Sequence, residues 1–533
     1  MPLSDYTYSS RASFAYVLCT TSSAVDAITT SALPVFDSDH DDVVFTNNVS
    51  SDITYTANAG TFTFAKAGTY HVVLTLVTSQ ETADKVQTTL FQLNSAAAIY
   101  LAAPFIDFAM DPTETTHQRV ITIAAGDVLH IKTKTAGNSM GIVKGTSVVI
   151  TEITSGVFAS STVTTAGSNN TTDAFNPFDT DLSGGPVFAS GGKIESGVVF
   201  DGAAGTMTVP SAGRYLIMIN HIFAASASTN SSVAVQLHKT PAGGTLALFF
   251  AASMRLHSSV DPTEQTMCIV EDLGALDALK ISYNIEAGRV HAEKGATFTV
   301  IKLQEGQPIV GTGRGVGSYG SAYITVGSNY ASTAGATEVN PFDEDNLTGD
   351  ATFATRASSG IVFNPGAGTF TASKAGLYFI MHTPIIDAAS SVVVTTKILV
   401  NDVIVSSSDS IAVNHPIGDP ASLTNTAFVE LQRNDVVTVL TDANTAVNII
   451  HNAGSHICMF RYYGFFEFSD ISSVAPVLIS DDLTINTFSR ENLSAQYERN
   501  IDQIPFKFGI RGAGTLRRRG TEPSVVKLGD KKA

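Results

Sequence analysis

Residues 61–64, Thr61-Phe62-Thr63-Phe64, alternate polar and apolar side chains as a half-buried strand does, and Ala65 to Gly68 supply a short reversal. A second strand follows from Tyr70 to Leu76. It is apolar on consecutive residues, which predicts that both of its faces are covered, one by a partner sheet and the other by a neighbouring module.

The same block occurs three times, as Gly60, Gly68 and Tyr70, as Gly205, Gly213 and Tyr215, and as Gly368, Gly376 and Tyr378, offset by 145 and 163 residues. Each copy reads Gly, seven residues, Gly, one residue, Tyr. The second glycine of each, Gly68, Gly213 and Gly376, is expected in a turn at a φ that a Cβ would disfavour. Upstream lies Phe-Asp-x-Asp, at Phe36–Asp39, Phe178–Asp181 and Phe342–Asp345, the last two preceded by Asn176-Pro177 and Asn340-Pro341. Downstream, Asp111-Pro-Thr-Glu114 matches Asp261-Pro-Thr-Glu264 and fades to Asp419-Pro420 in the third copy. Further strands follow around Gly126-Asp127 and Asn434-Asp435, and each copy closes on a last strand, Ser147 to Ile153, Thr297 to Leu303 or Ile457 to Tyr463. Short strands spaced about 8–12 residues apart predict an all-β sandwich in each copy.

These motifs, Phe-Asp, then Gly-x-Phe and Gly-x-Tyr, a hydrophobic strand, and Gly-Asp before a last strand, resemble the jelly roll of the tumour necrosis factor and complement globular-head family. The resemblance covers residues 12–153, 157–304 and 320–466. Met207 stands for the strand Phe and Leu276-Asp277-Ala278-Leu279 for the Gly-Asp turn, so the second copy is the most drifted. The resemblance implies three tandem jelly-roll β-sandwiches and a tendency to assemble as threefold trimers.

The expected organisation is 1–153, 157–304 and 320–468 as three modules, 305–319 as a Gly-rich linker and 469–533 as a tail. Because Thr154-Ser155-Gly156 is a joint of only three residues, closure of the modules on one another within a chain is not expected. A face left bare would exceed what a soluble monomer tolerates, so stacked homotrimers are expected.

Composition agrees with strands and tight turns: 44% hydrophobic, 15% charged, Gly 42 and no Trp. The net charge of −17 is uneven. Residues 505–533 carry eight Lys or Arg against Glu522 and Asp530, a net of +6, leaving −23 on the rest. An acidic body repels phosphates, so nucleic acid is not the expected partner. The tail shows Leu493, Tyr497 and Ile501 at helical spacing before Pro505, then Phe506, Phe508 and Ile510 alternating with Lys507, Gly509 and Arg511, and then Arg517, Arg518 and Arg519. Aromatic alternation beside clustered arginine suits a docking arm on an acidic neighbour.

Chemistry is sparse. Cys19, Cys268 and Cys458 fall one per copy, so none pairs within its own module, and they read as small buried hydrophobes. The twelve histidines do not recur at equivalent positions, and no nucleophile elbow or zinc spacing occurs. Phe-Asp-x-Asp offers hard oxygen ligands suited to calcium, but Asp side chains binding their own loop amides is the stronger reading. Asp-Pro-Thr-Glu reads as a turn, and Gly311-x-Gly313 as linker rather than phosphate loop. No metal, cofactor or catalysis is expected.

Met1 to Ser13 lacks a basic segment followed by an apolar run, and no window of about 18 apolar residues occurs, so neither a secretory leader nor a membrane span is expected. The resulting expectation is a virion structural protein, made in the host cytoplasm, trimerising through its jelly rolls and docking on other virion proteins through its tail. The alternative is a secreted or cell-surface recognition protein of the globular-head type.

Overall fold

The computed structural model describes residues 12–22, 32–39, 43–80, 87–94, 99–101, 113–135, 140–167, 175–181, 186, 193–225, 231–256, 263–287, 290–303, 318–326, 328–331, 338–344, 352–388, 392–412, 421–443, 448–464, 515–517 and 525–527. The described residues from 12 to 464 form one compact unit, and 515–517 with 525–527 belong to another.

The larger unit is all-β. It holds three antiparallel sandwiches, each with an inner sheet over an outer sheet in one strand order, and the third carries a further four-stranded sheet, Ser328–Ala331, Asn448–His451, Ile385–Ala388, Ala421–Ser422. In the first, the inner sheet runs Phe45–Val49, Phe14–Cys19, Ser147–Glu152, Gly68–Gln80, Thr113–Ile123, and the outer runs Ile53–Thr56, Thr61–Phe64, Val128–Thr135, Gln87–Leu93, Ile99–Leu101. The second inner sheet runs Lys193–Ser196, Phe158–Thr162, Thr297–Lys302, Gly213–Ala225, Thr263–Leu273. The third runs Thr352–Ser359, Tyr319–Val326, His456–Gly464, Gly376–Thr383, Asn425–Leu431. Every inner sheet places strands side by side that are far apart in the chain, as a jelly roll requires.

The strand after each second glycine divides its apolar residues by parity. Tyr70, Val72 and Leu74 point into the first core, Tyr215, Ile217 and Ile219 into the second, and Tyr378 and Ile380 into the third. Val73, Leu216, Met218, Leu377, Phe379 and Met381 point the other way, into a fourth core shared by all three sandwiches. The consecutive apolar run therefore has two covered faces.

This shared core corrects the premise of the homotrimer expectation, because the apolar faces are covered within one chain. The short joint does not prevent closure. Gly156 takes φ 64, a left-handed turn that leads the last strand of the first sandwich into the first strand of the second.

Candidate functional site

The functional candidate is the seam where the three inner sheets meet. Each inner sheet ends on an edge strand, Thr113–Ile123, Thr263–Leu273 or Asn425–Leu431, with one edge paired in its own sheet and the other turned to the next sandwich. Ile123, Leu273 and Leu431 lie opposite Gly68, Gly213 and Gly376, and this register makes Glu114, Glu264 and Ser422 equivalent. Thr116, Thr266 and Thr424 are equivalent in the same way, as are Gln118, Cys268 and Thr426.

The carboxylates cap the neighbour's free edge. Glu264 Oε1 accepts the Thr116 backbone N–H at 2.6 Å and the Asn220 side-chain amide at 2.7 Å. Glu114 accepts from the backbone and hydroxyl of Thr424, and its Oε2 lies 3.4 Å from Ser408 Oγ. At the third seam the equivalent residue is Ser422, whose hydroxyl finds no partner. Burial holds both carboxyls well above their usual range, and the neighbouring Glu114 charge pushes Glu264 further. The expectation of a simple Asp-Pro-Thr-Glu turn thus missed the role of its glutamate.

At the next ring position each seam uses different chemistry. Gln118 Nε2 donates to the Met218 carbonyl at 2.8 Å, and Gln118 Oε1 meets His71 Nε2 at 3.0 Å. The Thr426 carbonyl accepts from the Tyr16 hydroxyl at 3.3 Å, and the Thr426 hydroxyl meets Ser147 Oγ at 2.8 Å. The Cys268 backbone N–H donates to His456 Nε2 at 3.0 Å. Around that last seam Arg214 stacks on Tyr319 at 3.9 Å, while the Tyr319 hydroxyl donates to Asp272 at 2.9 Å. The first and third sandwiches also touch backbone to backbone: a Cβ on Gly145, which sits at φ 99, would lie 2.5 Å from Ser408 Cα.

The recurring motif residues act inside each sandwich. The tyrosine rings of Tyr70, Tyr215 and Tyr378 are buried, and their hydroxyls donate to the carbonyls of Lys66, Ser211 and Lys374, four residues back, at 3.0, 2.7 and 2.7 Å. Each ring thereby fastens the reversal that precedes its own strand.

The glycine expectation needs correction. Gly68 and Gly376 begin strands without positive φ, and of the three only Gly213 has it, at 152°. The constrained position is the first glycine. Gly60, Gly205 and Gly368 sit at φ 58, 59 and 60. A Cβ there would strike the Phe-Asp loop, at 2.8 Å from Asp37 N for Gly60 and 2.6 Å from Phe178 C for Gly205. Asn176 and Asn340 fasten the contact by donating to the Gly205 and Gly368 carbonyls.

Phe36, Phe178 and Phe342 are core anchors with no exposure. Asp37 accepts the Asp39 amide at 3.0 Å and Asp179 the Asp181 amide at 2.9 Å, so these carboxylates bind their own loops. All three cysteines are free and buried, and burial raises the Cys19 thiol to about 12. Buried histidines are held neutral, His117 at about 3 and His71 at about 4. No helix among the described residues is long and apolar enough to cross a membrane.

Between the first and third sandwiches lies a cleft of about 360 Å³, with Thr46, Asn47 and Asn48 on one side and Val405 and Phe428 on the other. Of the tail, Thr515–Arg517 pairs with Val525–Lys527. Phe506, Phe508, Arg511, Arg518, Arg519 and the expected helix around Tyr497 lie outside the described residues.

No protein-family model matches the chain. No curated protein matches it either. Among solved structures, the Eiger TNF from S. frugiperda is 16% identical with a TM-score of 0.21, covering 28% of this chain and 95% of its own.

Proposed function

We propose that this chain is a structural component of a virus particle, a head of three jelly rolls in one chain carried on the particle by its basic tail. The observation that supports this reading is the seam. Glu264, Glu114 and His456 are spent on joining sandwiches, and the motif residues outside the seam fasten loops and turns. A chain that closes its own apolar faces is suited to a scaffold position, with the −23 body and the +6 arm offering opposite charge for contacts between neighbours. The basic arm, including Phe506, Phe508, Arg511 and Arg517 to Arg519, is the docking element of this reading. The test is a chain ending after residue 468. It should fold, yet be missing from purified particles by mass spectrometry. Normal incorporation of the shortened chain defeats the proposal.

The cleft between the first and third sandwiches favours a second reading, a recognition head that takes a ligand between polar Asn47 and Asn48 and apolar Phe428. Binding of the purified head to a cell surface, lost on Asn48→Lys with folding intact, would select it.

A further inference from the structure

The seam between the first and second sandwiches carries buried histidines of its own, His71 on Gln118 and His117 at 4.0 Å from Glu264, and the three seams are closed by different titratable groups. Two are capped by carboxyls, Glu264 on Thr116 and Glu114 on Thr424, and a carboxyl buried in a seam is only made easier to bury by protonation. The seam between the second and third sandwiches has Ser422 in that place and is closed by His456 instead.

His456 is 2% exposed. Its Nδ1 faces the Gly454 carbonyl at 2.9 Å and donates to it, which leaves Nε2 with the lone pair that accepts the Cys268 N–H. A proton on Nε2 would set two donors against each other. The Phe250 ring of the second sandwich packs edge-on to His456 at 5.4 Å, so water does not replace the lost acceptor. The titratable and charged groups on the surrounding strands are Glu264, Cys268, Glu271 and Asp272 on the second sandwich, and Tyr319, Tyr323, Tyr378, His382, Asp387, His451, Cys458, Arg461, Tyr462 and Tyr463 on the third. His382 is buried among the charges that His451 and His456 would carry, and both its ring nitrogens lack partners.

We propose that the seam between the second and third sandwiches is an acid-released joint, with protonation of His456 freeing the Cys268 edge strand. Burial lowers His456 from 6.5 to about 4. A lowered base contributes stability that is complete above 6.5 and is lost as pH falls through about 4, so opening should rise about tenfold per pH unit within that window.

The cysteines report it. Cys268 and Cys458 lie in the shared core, whereas Cys19 lies in the core of the first sandwich. The full chain is incubated with 4,4′-dithiodipyridine, which reacts with thiols in acid, from pH 7 to pH 4, and each cysteine is followed by peptide mass spectrometry. Cys268 and Cys458 should gain reactivity together, about tenfold per unit below pH 6, with Cys19 unchanged. His456→Gln keeps an acceptor without a titrating nitrogen and should abolish the gain. Simultaneous rise of Cys19, no rise at Cys268 and Cys458, or a gain unaffected by His456→Gln overturns the proposal. Where the variant does not fold, His71→Gln is the comparison: the gain at Cys268 and Cys458 should persist in it, and its loss overturns the proposal.

Discussion

Glu264 of the second sandwich closes the free edge of the first by accepting the Thr116 amide at 2.6 Å. Its place in the ring, repeated by Glu114 on Thr424, makes a carboxyl on one edge strand the cap of the next. Glu264→Leu would leave the Thr116 amide and the Asn220 side chain buried without an acceptor, at roughly 1–3 kcal/mol each. A lowered urea midpoint should accompany exposure of the shared core, and an unchanged midpoint would show the cap to be idle.

The same carboxyl sets a pH dependence. Burial raises it well above 4.5, with the Glu114 charge adding to the shift. An acid raised on folding contributes stability that is complete below its unfolded value and is lost as pH rises through the folded one. Glu264→Gln, which keeps the acceptor, should flatten the alkaline side of the stability profile measured by urea unfolding at successive pH values. A profile identical to that of the parent would mean that Glu264 does not carry the dependence.

The two glycines of each block should differ under substitution. Gly205→Ala places a methyl against Phe178 in a left-handed residue, and the backbone alone costs about 1–2 kcal/mol before the clash is counted. Gly376→Ala meets no such backbone restriction and should cost less than half as much. Equal losses would show that the φ difference does not govern these sites.

Leu276 is a stabilisable position. It takes φ 64 where the first and third copies have Gly126 at φ 88 and Asn434 at φ 70, and its side chain is 61% exposed. The Asp side chains of all three turns accept the amide three residues back, Asp127 from Ala124, Asp277 from Gly274 and Asp435 from Gln432. The drifted sequence therefore keeps the turn at the cost of strain. Leu276→Asn should raise stability by about 0.5–1 kcal/mol, read as a higher urea midpoint. A fall in the midpoint would mean that the exposed leucine has a packing role.

How much of this could be read beforehand depends on where each residue finds its partner. Thr61 to Phe64 and the run from Tyr70 are legible because alternation and consecutive apolarity are local consequences of which faces are covered. Two of the Phe-Asp loops are legible for the same reason, since Asp37 and Asp179 each bind an amide two residues ahead. Gly205 and Gly213 were harder to rank, because the decisive neighbour of Gly205 is Phe178, 27 residues earlier in the chain. Glu264 is marked only by the recurrence of Asp-Pro-Thr-Glu, which does not say what the carboxyl meets, and His456 carries no local sign. Their partners, Thr116 and Cys268, belong to other copies and are brought close only by the closing of three sheets.

Joining the three sandwiches in one chain frees each from having to match the others. In a trimer of identical chains, one residue type must serve all three contacts around the ring, and every substitution is made three times over. Here Gln118, Cys268 and Thr426 occupy one ring position with unrelated hydrogen-bonding patterns, so the contacts have diverged independently. The covalent linkage also keeps the local concentration of each sandwich around its neighbours fixed, so dilution that would dissociate a trimer leaves these contacts in place. One contact can therefore become labile without loosening the other two.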